Sequence, residues 1–394
     1  MRLRSVREIA EENYVLWAMN CSYYSAQLRS YLIKKNIKYV EINPSHPEYN
    51  ERVVPQVGHF TLPILEGPNG ELVADSIEAI EFLEGRFPQQ TMIPACKVMA
   101  GLAWLIHNCA SERHFLSAVY DRWKTTVENR EFALGEFCRS LETKAVIEAK
   151  RKAGEQKLAG EVLAAMASKH VDAAGVTDRR DEVFALYALL NEHFHDYPYI
   201  LGGHPSIADF GMVAFLYPHV GRDPSSSALL KLHAPALYRW IETMNRAVIV
   251  DPEIWYVSPE FFTHDDLPKT LIALTKAIVA FHGPELRATI AAYNHWLDLE
   301  PNRPAGAIIS RNGKKLVHQV LNEVTESSSG DLTGGIVFLD PLALHLRLID
   351  LEKSMSATQM NAYKTLLRSL GAGDFIEVKL KRKMRRKDYA YVLD

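Results

Sequence analysis

Between an apolar run and a helical pattern the chain reads Asn20-Cys21-Ser22-Tyr23-Tyr24-Ser25-Ala26-Gln27-Leu28-Arg29. This turn holds the residues best placed for chemistry. A cysteine at the amino end of a helix sits where thiolate is favoured over thiol, so Cys21 is a candidate for thiol exchange. Ser22 brings a hydroxyl to the same helix end. Further on, Asp75-Ser76 reads as an N-cap ahead of Ile77-Glu-Ala-Ile-Glu-Phe-Leu83, and a helix amino terminus favours anions. Ser206 and Asp209, three apart before the apolar run Phe210–Leu216, form a capping box with Asp in the place of Glu. In such a box the hydroxyl can accept from the amide of Asp209 while the carboxylate reaches back to the amide of Ser206. It is worth about 1 kcal/mol as a cap and performs no chemistry.

Other candidates carry less. His193-x-His195 has no carboxylate or cysteine partner at a metal-binding spacing, so no metal is expected there. Gly202-Gly203 and Gly334-Gly335 lack the strand-GxGxxG-helix setting of a dinucleotide loop. No GxSxG or Walker sequence occurs.

The elements that must position these residues follow from periodicity. Residues 14–20 read as a buried strand, Ser22 to Lys35 as a helix, and 38–42 as a second strand. Pro63–Glu66 and Glu71–Ala74 predict a hairpin about Gly67-Pro68-Asn69-Gly70, and Ser76–Leu83 starts a helix with Ile77, Ile80 and Leu83 on its core face. Gly85–Pro94 reads as a linker, and the pattern from Ala95 to about Arg246 is helical. It includes a polar stretch near 140–180 that suits a solvated helix pair. Pro268–Leu299 predicts a helix; 306–310, 315–320 and 335–339 predict short strands; 357–370 predicts another helix. The basic run 379–387, interleaved with Leu380 and Met384, suits a final strand or a solvated edge.

At 394 residues the chain has room for two or three domains, with 47% hydrophobic and 24% charged residues. A net charge of -3 argues against nucleic acid as the main partner. No run approaches the length of a membrane span, and the first residues show no apolar secretory segment. Cys21, Cys96, Cys109 and Cys138 are scattered without CxxC spacing, which predicts a reduced, cytoplasmic protein with free thiols.

The strand-helix-strand start, the Cys21/Ser22 turn, Thr61-Leu62-Pro63-Ile64, Asp75-Ser76 and the later Ser206/Asp209 box stand in an order that resembles the glutathione transferase superfamily. The resemblance implies a thioredoxin-like α/β domain over 12–88 and an all-helical domain over 95–260. A mixed α/β extension of unassigned role would follow over 261–394. It implies glutathione as co-substrate, with no metal, and a small, mostly apolar electrophile as second substrate. A homodimer is implied as well. Aligned from Ser22 to the basic Arg29, the motif makes Ser22 the hydrogen-bond donor to the glutathione sulfur. Tyr23 stands where the pattern usually has proline. Leu62, ahead of a cis Pro63, would pair with the cysteinyl part of the tripeptide. Ser76 would receive the γ-glutamyl carboxylate, and Asp75 its ammonium. Trp104, His107 and Phe115 are candidate walls for the second substrate. Two rivals stay open: a Cys21-dependent thiol transferase, and a non-catalytic binding protein on the same fold.

Overall fold

The structure, a computed structural model, describes residues 4–142, 148, 180–310, 339–373, 375 and 379–394. Most of the polar stretch 140–180 and the strands expected at 315–320 and 335–339 lie outside these residues. Contacts group the chain into two compact units. One comprises Met1–Met92, Ala118–Val171 and Met212–Trp255; the other comprises Ile93–Ser117, Asp172–Gly211 and Tyr256–Asp394. These units do not follow the chain-order segments 12–88, 95–260 and 261–394, which remain a proposal about domains.

The first unit opens with α1 (Val6–Ala10), started by a Ser5/Glu8 capping box that the sequence reading missed. There follow β1 (Tyr14–Trp17), α2 (Tyr23–Lys34) and β2 (Tyr39–Ile42). A π-turn at Tyr49–Val53 runs into α3 (Val54–Val57), and β3 (Ile64–Glu66), β4 (Leu72–Ala74) and α4 (Ser76–Arg86) complete the series. The sheet order is β2-β1-β3-β4, with β1 and β2 parallel and the other pairs antiparallel. All four residues of β1 are buried, as the unbroken apolar run Tyr14-Val-Leu-Trp17 requires of a central strand. The register aligns Trp17 with Ile64 and Ile64 with Ala74. The last residue of β1, the first of β3 and the last of β4 are therefore level. This is the thioredoxin-like α/β arrangement.

After α4 the helices are α5 (Lys97–Arg113), α6 (Phe115–Tyr120), α7 (Val127–Leu141), α8 (Arg180–Asp196), α9 (Ile207–Phe215), α10 (Pro224–His233), α11 (Pro235–Thr243) and α12 (Lys269–Leu299). π-turns lie at Asp121–Thr125 and Leu216–Val220. Prolines at the first position of α10 and α11 fit the φ that a helix start needs and give up an amide that would be unpaired anyway. Then come β5 (Ile308–Ser310), α13 (Asp340–Lys353), α14 (Ala357–Ser369), β6 (Met384–Lys387) and β7 (Ala390–Leu393). The last strands form an antiparallel sheet of order β5-β7-β6. A helical region thus follows the first sheet, and an extra region with a small sheet ends the chain.

The second unit is built around α5. Fourteen of its seventeen residues are buried, as expected of a helix that is apolar on all sides. Helices α12, α13 and α14 all pack on it. Gly101 is the close approach: a Cβ there would stand 2.5 Å from the Tyr363 ring of α14. The basic end of the chain is paired locally, Lys381 with Asp298, Lys383 with Asp350, and Arg385 with Asp394. It forms strand β6 on the small sheet. Among the described residues no helix is long and apolar enough to cross a membrane, and no group of three or more His, Cys, Asp or Glu is placed to hold a metal.

At the start of α9 the Asp209 carboxylate accepts from the Ser206 amide and hydroxyl, each at 2.9 Å. It also accepts from the Ile200 amide at 2.9 Å. The third bond ties the preceding loop to the helix, so this fully buried carboxylate does more than cap. Asp209→Ala should therefore exceed an ordinary cap loss and cost about 3 kcal/mol, because buried donors lose their acceptor. A urea denaturation series with Ser206→Ala alongside, expected at about 1 kcal/mol, measures the difference.

Candidate functional site

The level ends of β1, β3 and β4 decide where the site residues go. Beyond Trp17 the chain enters the turn with Cys21 and Ser22, before Ile64 it passes Leu62-Pro63, and after Ala74 it reaches Asp75-Ser76. All three segments leave the sheet at the same end. The Leu62-Pro63 peptide is cis, as the resemblance implied. The amide of Asp75 reaches the Pro63 carbonyl at 3.4 Å, holding two of the segments against each other.

Each segment presents polar groups at this end. Ser22 is the N-cap of α2, and its half-buried hydroxyl accepts from the Ser25 amide at 3.4 Å. A hydroxyl that accepts there keeps its own proton to donate elsewhere. The Leu62 amide and carbonyl make no hydrogen bond among the described residues, leaving one backbone donor and one acceptor without a partner there. Asp75 caps α4, accepting from Ile77 at 2.8 Å and Glu78 at 3.3 Å. It does so at φ 102 and ψ 137, a conformation an L-residue adopts at a cost of about 1–3 kcal/mol. The Ser76 hydroxyl donates to the buried Gln27 Oε1, which locks α4 to α2. The Ser76 amide makes no bond to a described residue. As a first-turn N–H at a helix amino terminus, it is a donor suited to an anion.

Cys21 is turned inward and is 1% exposed. Burial pushes its thiol up to about 11, against the opposing pull of the Arg122 guanidinium. At neutral pH it is a thiol. The helix-end effect on which its reactivity was argued is outweighed by desolvation.

Two buried arginines hold the turn from behind. Arg29, the basic residue of the sequence motif, binds the Glu41 carboxylate through Nε at 2.7 Å and Nη2 at 2.6 Å. Its Nη2 also reaches the Met19 carbonyl at 3.2 Å. Arg122 donates to the Cys21 carbonyl at 2.8 Å, to the Pro218 carbonyl, and to both oxygens of Asp223 at 2.9 Å. Burial raises the Asp223 carboxyl to about 6 while Arg122 opposes the rise, so the pair is charged at neutral pH. The His219 imidazole beside it is held well below its ordinary value by burial and by the same guanidinium, and is neutral. Sequence reading missed Arg122, Asp223 and Gln27. Arg122 and Asp223 lie 101 residues apart, and no local pattern pairs them.

The expected wall residues Trp104 and His107 are both buried, 6% and 0% exposed. His107 is fully buried with Nδ1 2.7 Å from the Ile207 carbonyl, and a Cβ on Gly211 would stand 2.8 Å from its Cα. Trp104 packs edge-on to it at 5.5 Å. Both are internal packing of α5. Phe115 is half-buried.

Residues 155–247 match the family model described as glutathione S-transferase, C-terminal domain. No curated protein matches the chain in sequence. Among solved structures the chain is similar to a glutathione S-transferase of Ceriporiopsis subvermispora in complex with glutathione. That likeness has 14% identity, 61% of this chain, 99% of that one and a TM-score of 0.36. It is similar to a glutathione S-transferase from Rhodospirillum rubrum F11 at 14% identity, covering 66% of this chain and 99% of that one with a TM-score of 0.37. A β-etherase from Sphingobium sp. strain SYK-6 stands at 17%, 61%, 97% and 0.35 in the same order. At this level of superposition the likenesses carry no argument about function. The resemblance to the glutathione S-transferase superfamily rests on the family match and on the arrangement of the elements.

Two measurements follow. Alkylation of Cys21 by iodoacetamide should climb about tenfold per pH unit with no plateau below pH 10, while exposed Cys96 is modified at neutral pH; peptide mass spectrometry reads both, and a Cys21 plateau near pH 7 contradicts the assignment. Arg122→Met strands a buried carboxylate and should cost about 3–5 kcal/mol, much of which returns in Arg122→Met with Asp223→Leu.

Proposed function

We propose that this protein is a glutathione transferase-like enzyme that conjugates the glutathione thiolate to a small, mostly apolar electrophile. One observation carries the reading: the segments with the Ser22 hydroxyl, the Leu62 backbone, unpaired among the described residues, and the helix-terminal Ser76 amide lie at one end of the sheet. Glutathione is a tripeptide whose thiol, backbone and γ-glutamyl carboxylate call for those three partners. In the proposal Ser22 donates to the sulfur, the Leu62 amide and carbonyl pair with the cysteinyl residue, and the Ser76 amide takes the carboxylate. In the same proposal Asp75 receives the ammonium while capping α4.

The chemical step is elementary. The thiol loses its proton to solvent, the Ser22 hydroxyl and the amino end of α2 stabilise the thiolate, and sulfur forms a bond to the electrophilic carbon as its leaving group departs. The buried Cys21 thiol supports serine rather than cysteine chemistry. A homodimer in the cytoplasm is part of the same proposal.

Calorimetry with glutathione at up to millimolar concentration tests binding, and turnover of an activated aryl chloride tests chemistry. Ser22→Ala should lower kcat/KM about 10²–10³-fold, the usual cost of losing a donor to developing charge. It should also raise the pKa of the bound thiol, read from thiolate absorbance. Cys21→Ala should keep most of the activity. Loss of activity there with Ser22→Ala unaffected transfers the role to cysteine, and absence of glutathione binding supports a non-catalytic protein.

A further inference from the structure

One helix carries both Ser22 and Gln27. Ser22 caps the amino end of α2, and Gln27 lies in its second turn. Gln27 is fully buried, and its Oε1 accepts from the hydroxyl of Ser76, 49 residues further along the chain. Ser76 is itself 2% exposed and is the first residue of α4. Helices α2 and α4 pack on each other, and apolar packing has no preferred direction. A hydrogen bond does. This one ties the first turn of α4 to the helix whose end holds Ser22.

The Ser76 amide has need of such a tie. Its direction follows the peptide plane shared with Asp75, and Asp75 stands at φ 102 and ψ 137. A strained residue of that kind keeps its conformation only where the surroundings hold it. The Asp75 carboxylate takes the next two amides, those of Ile77 and Glu78, and the Ser76 amide makes no bond to a described residue. The Ser76–Gln27 bond holds the chain on the far side of the strained residue. A buried side-chain amide is costly unless it is bonded. An apolar residue of the same length would pack α2 on α4 without that cost.

We propose that Gln27 is a positioning residue. Through the Ser76 hydroxyl it fixes the Ser76 amide at a set distance from Ser22, and so matches the site to the span between the thiol and the γ-glutamyl carboxylate of glutathione. The carboxylate then meets the amide alone, because the hydroxyl is engaged by Gln27. The inference rests on the glutathione reading and deepens it.

Gln27→Met keeps the length of the side chain and removes the acceptor. In calorimetry on the full chain it should weaken glutathione about tenfold, the worth of one hydrogen bond. Ser76→Ala should weaken it by the same factor, and the double variant should lose no more than either one, since both remove one bond. In turnover of an activated aryl chloride the loss should fall on KM for glutathione with kcat retained. With cysteinylglycine, which lacks the γ-glutamyl residue, kcat/KM should not change. Circular dichroism and the thermal midpoint confirm folding. If Gln27→Met does not fold, a crystal structure of the unaltered chain with glutathione decides: the Ser76 hydroxyl should stay on Gln27 while the amide meets the carboxylate. The proposal is overturned if folded Gln27→Met binds glutathione as tightly as the unaltered chain, as a purely structural glutamine would give. It is overturned too if both thiols lose alike, or if the hydroxyl turns to the ligand in that structure. Absence of glutathione binding by the unaltered chain is a separate result, which overturns the glutathione reading and this inference with it.

Discussion

A guanidinium that cannot reach water must place its donors on protein oxygens, and Arg122 does so in the first unit. It is 1% exposed, and it is shared among the Asp223 carboxylate and the carbonyls of Cys21 and Pro218. Burying such a pair gains little net stability, yet breaking it by removing one partner is expensive. The bonds join three pieces far apart in the chain: the turn before α2, the π-turn Leu216–Val220, and the start of α10 where Asp223 is the N-cap. The position of Ser22 thus depends on more than its own strand and helix. Lysine could not stand in, since a point charge cannot hold two carboxylate oxygens and two carbonyls in a fixed plane.

Much of this was legible from sequence because it is local. The strand at 14–17, helix at 23–34, hairpin about Gly67–Gly70 and helix from Ser76 each follow from periodicity or turn chemistry within a short window. The helix at 357–369 begins with its own Ser356/Gln359 capping box. The cis bond at Leu62-Pro63 followed from the order of motifs rather than from the dipeptide, since an X-Pro bond alone is far more often trans.

The illegible parts share one cause. Helical periodicity shows that a helix has an apolar face but cannot say what covers the rest, and so the sequence does not show that α5, with the candidate wall residues Trp104 and His107, is enclosed on nearly every side. The reactivity argued for Cys21 came from its place at a helix end, whereas burial, which sequence does not report, sets its protonation. The same holds for Ser76, whose hydroxyl is already bound to Gln27, a residue on another helix.

The socket at Gly101 has a further consequence. The central helix α5 lacks a side chain where Tyr363 of α14 enters, and Lys97 at its start donates to the Ser354 carbonyl. Asn108, near its end, donates to the Pro341 carbonyl at 3.1 Å. The last third of the chain is therefore not an appendage fastened to a finished domain. Helices α13 and α14 supply part of the enclosure of a helix that comes early in the chain, so a chain ending before α13 would leave apolar faces of α5 uncovered.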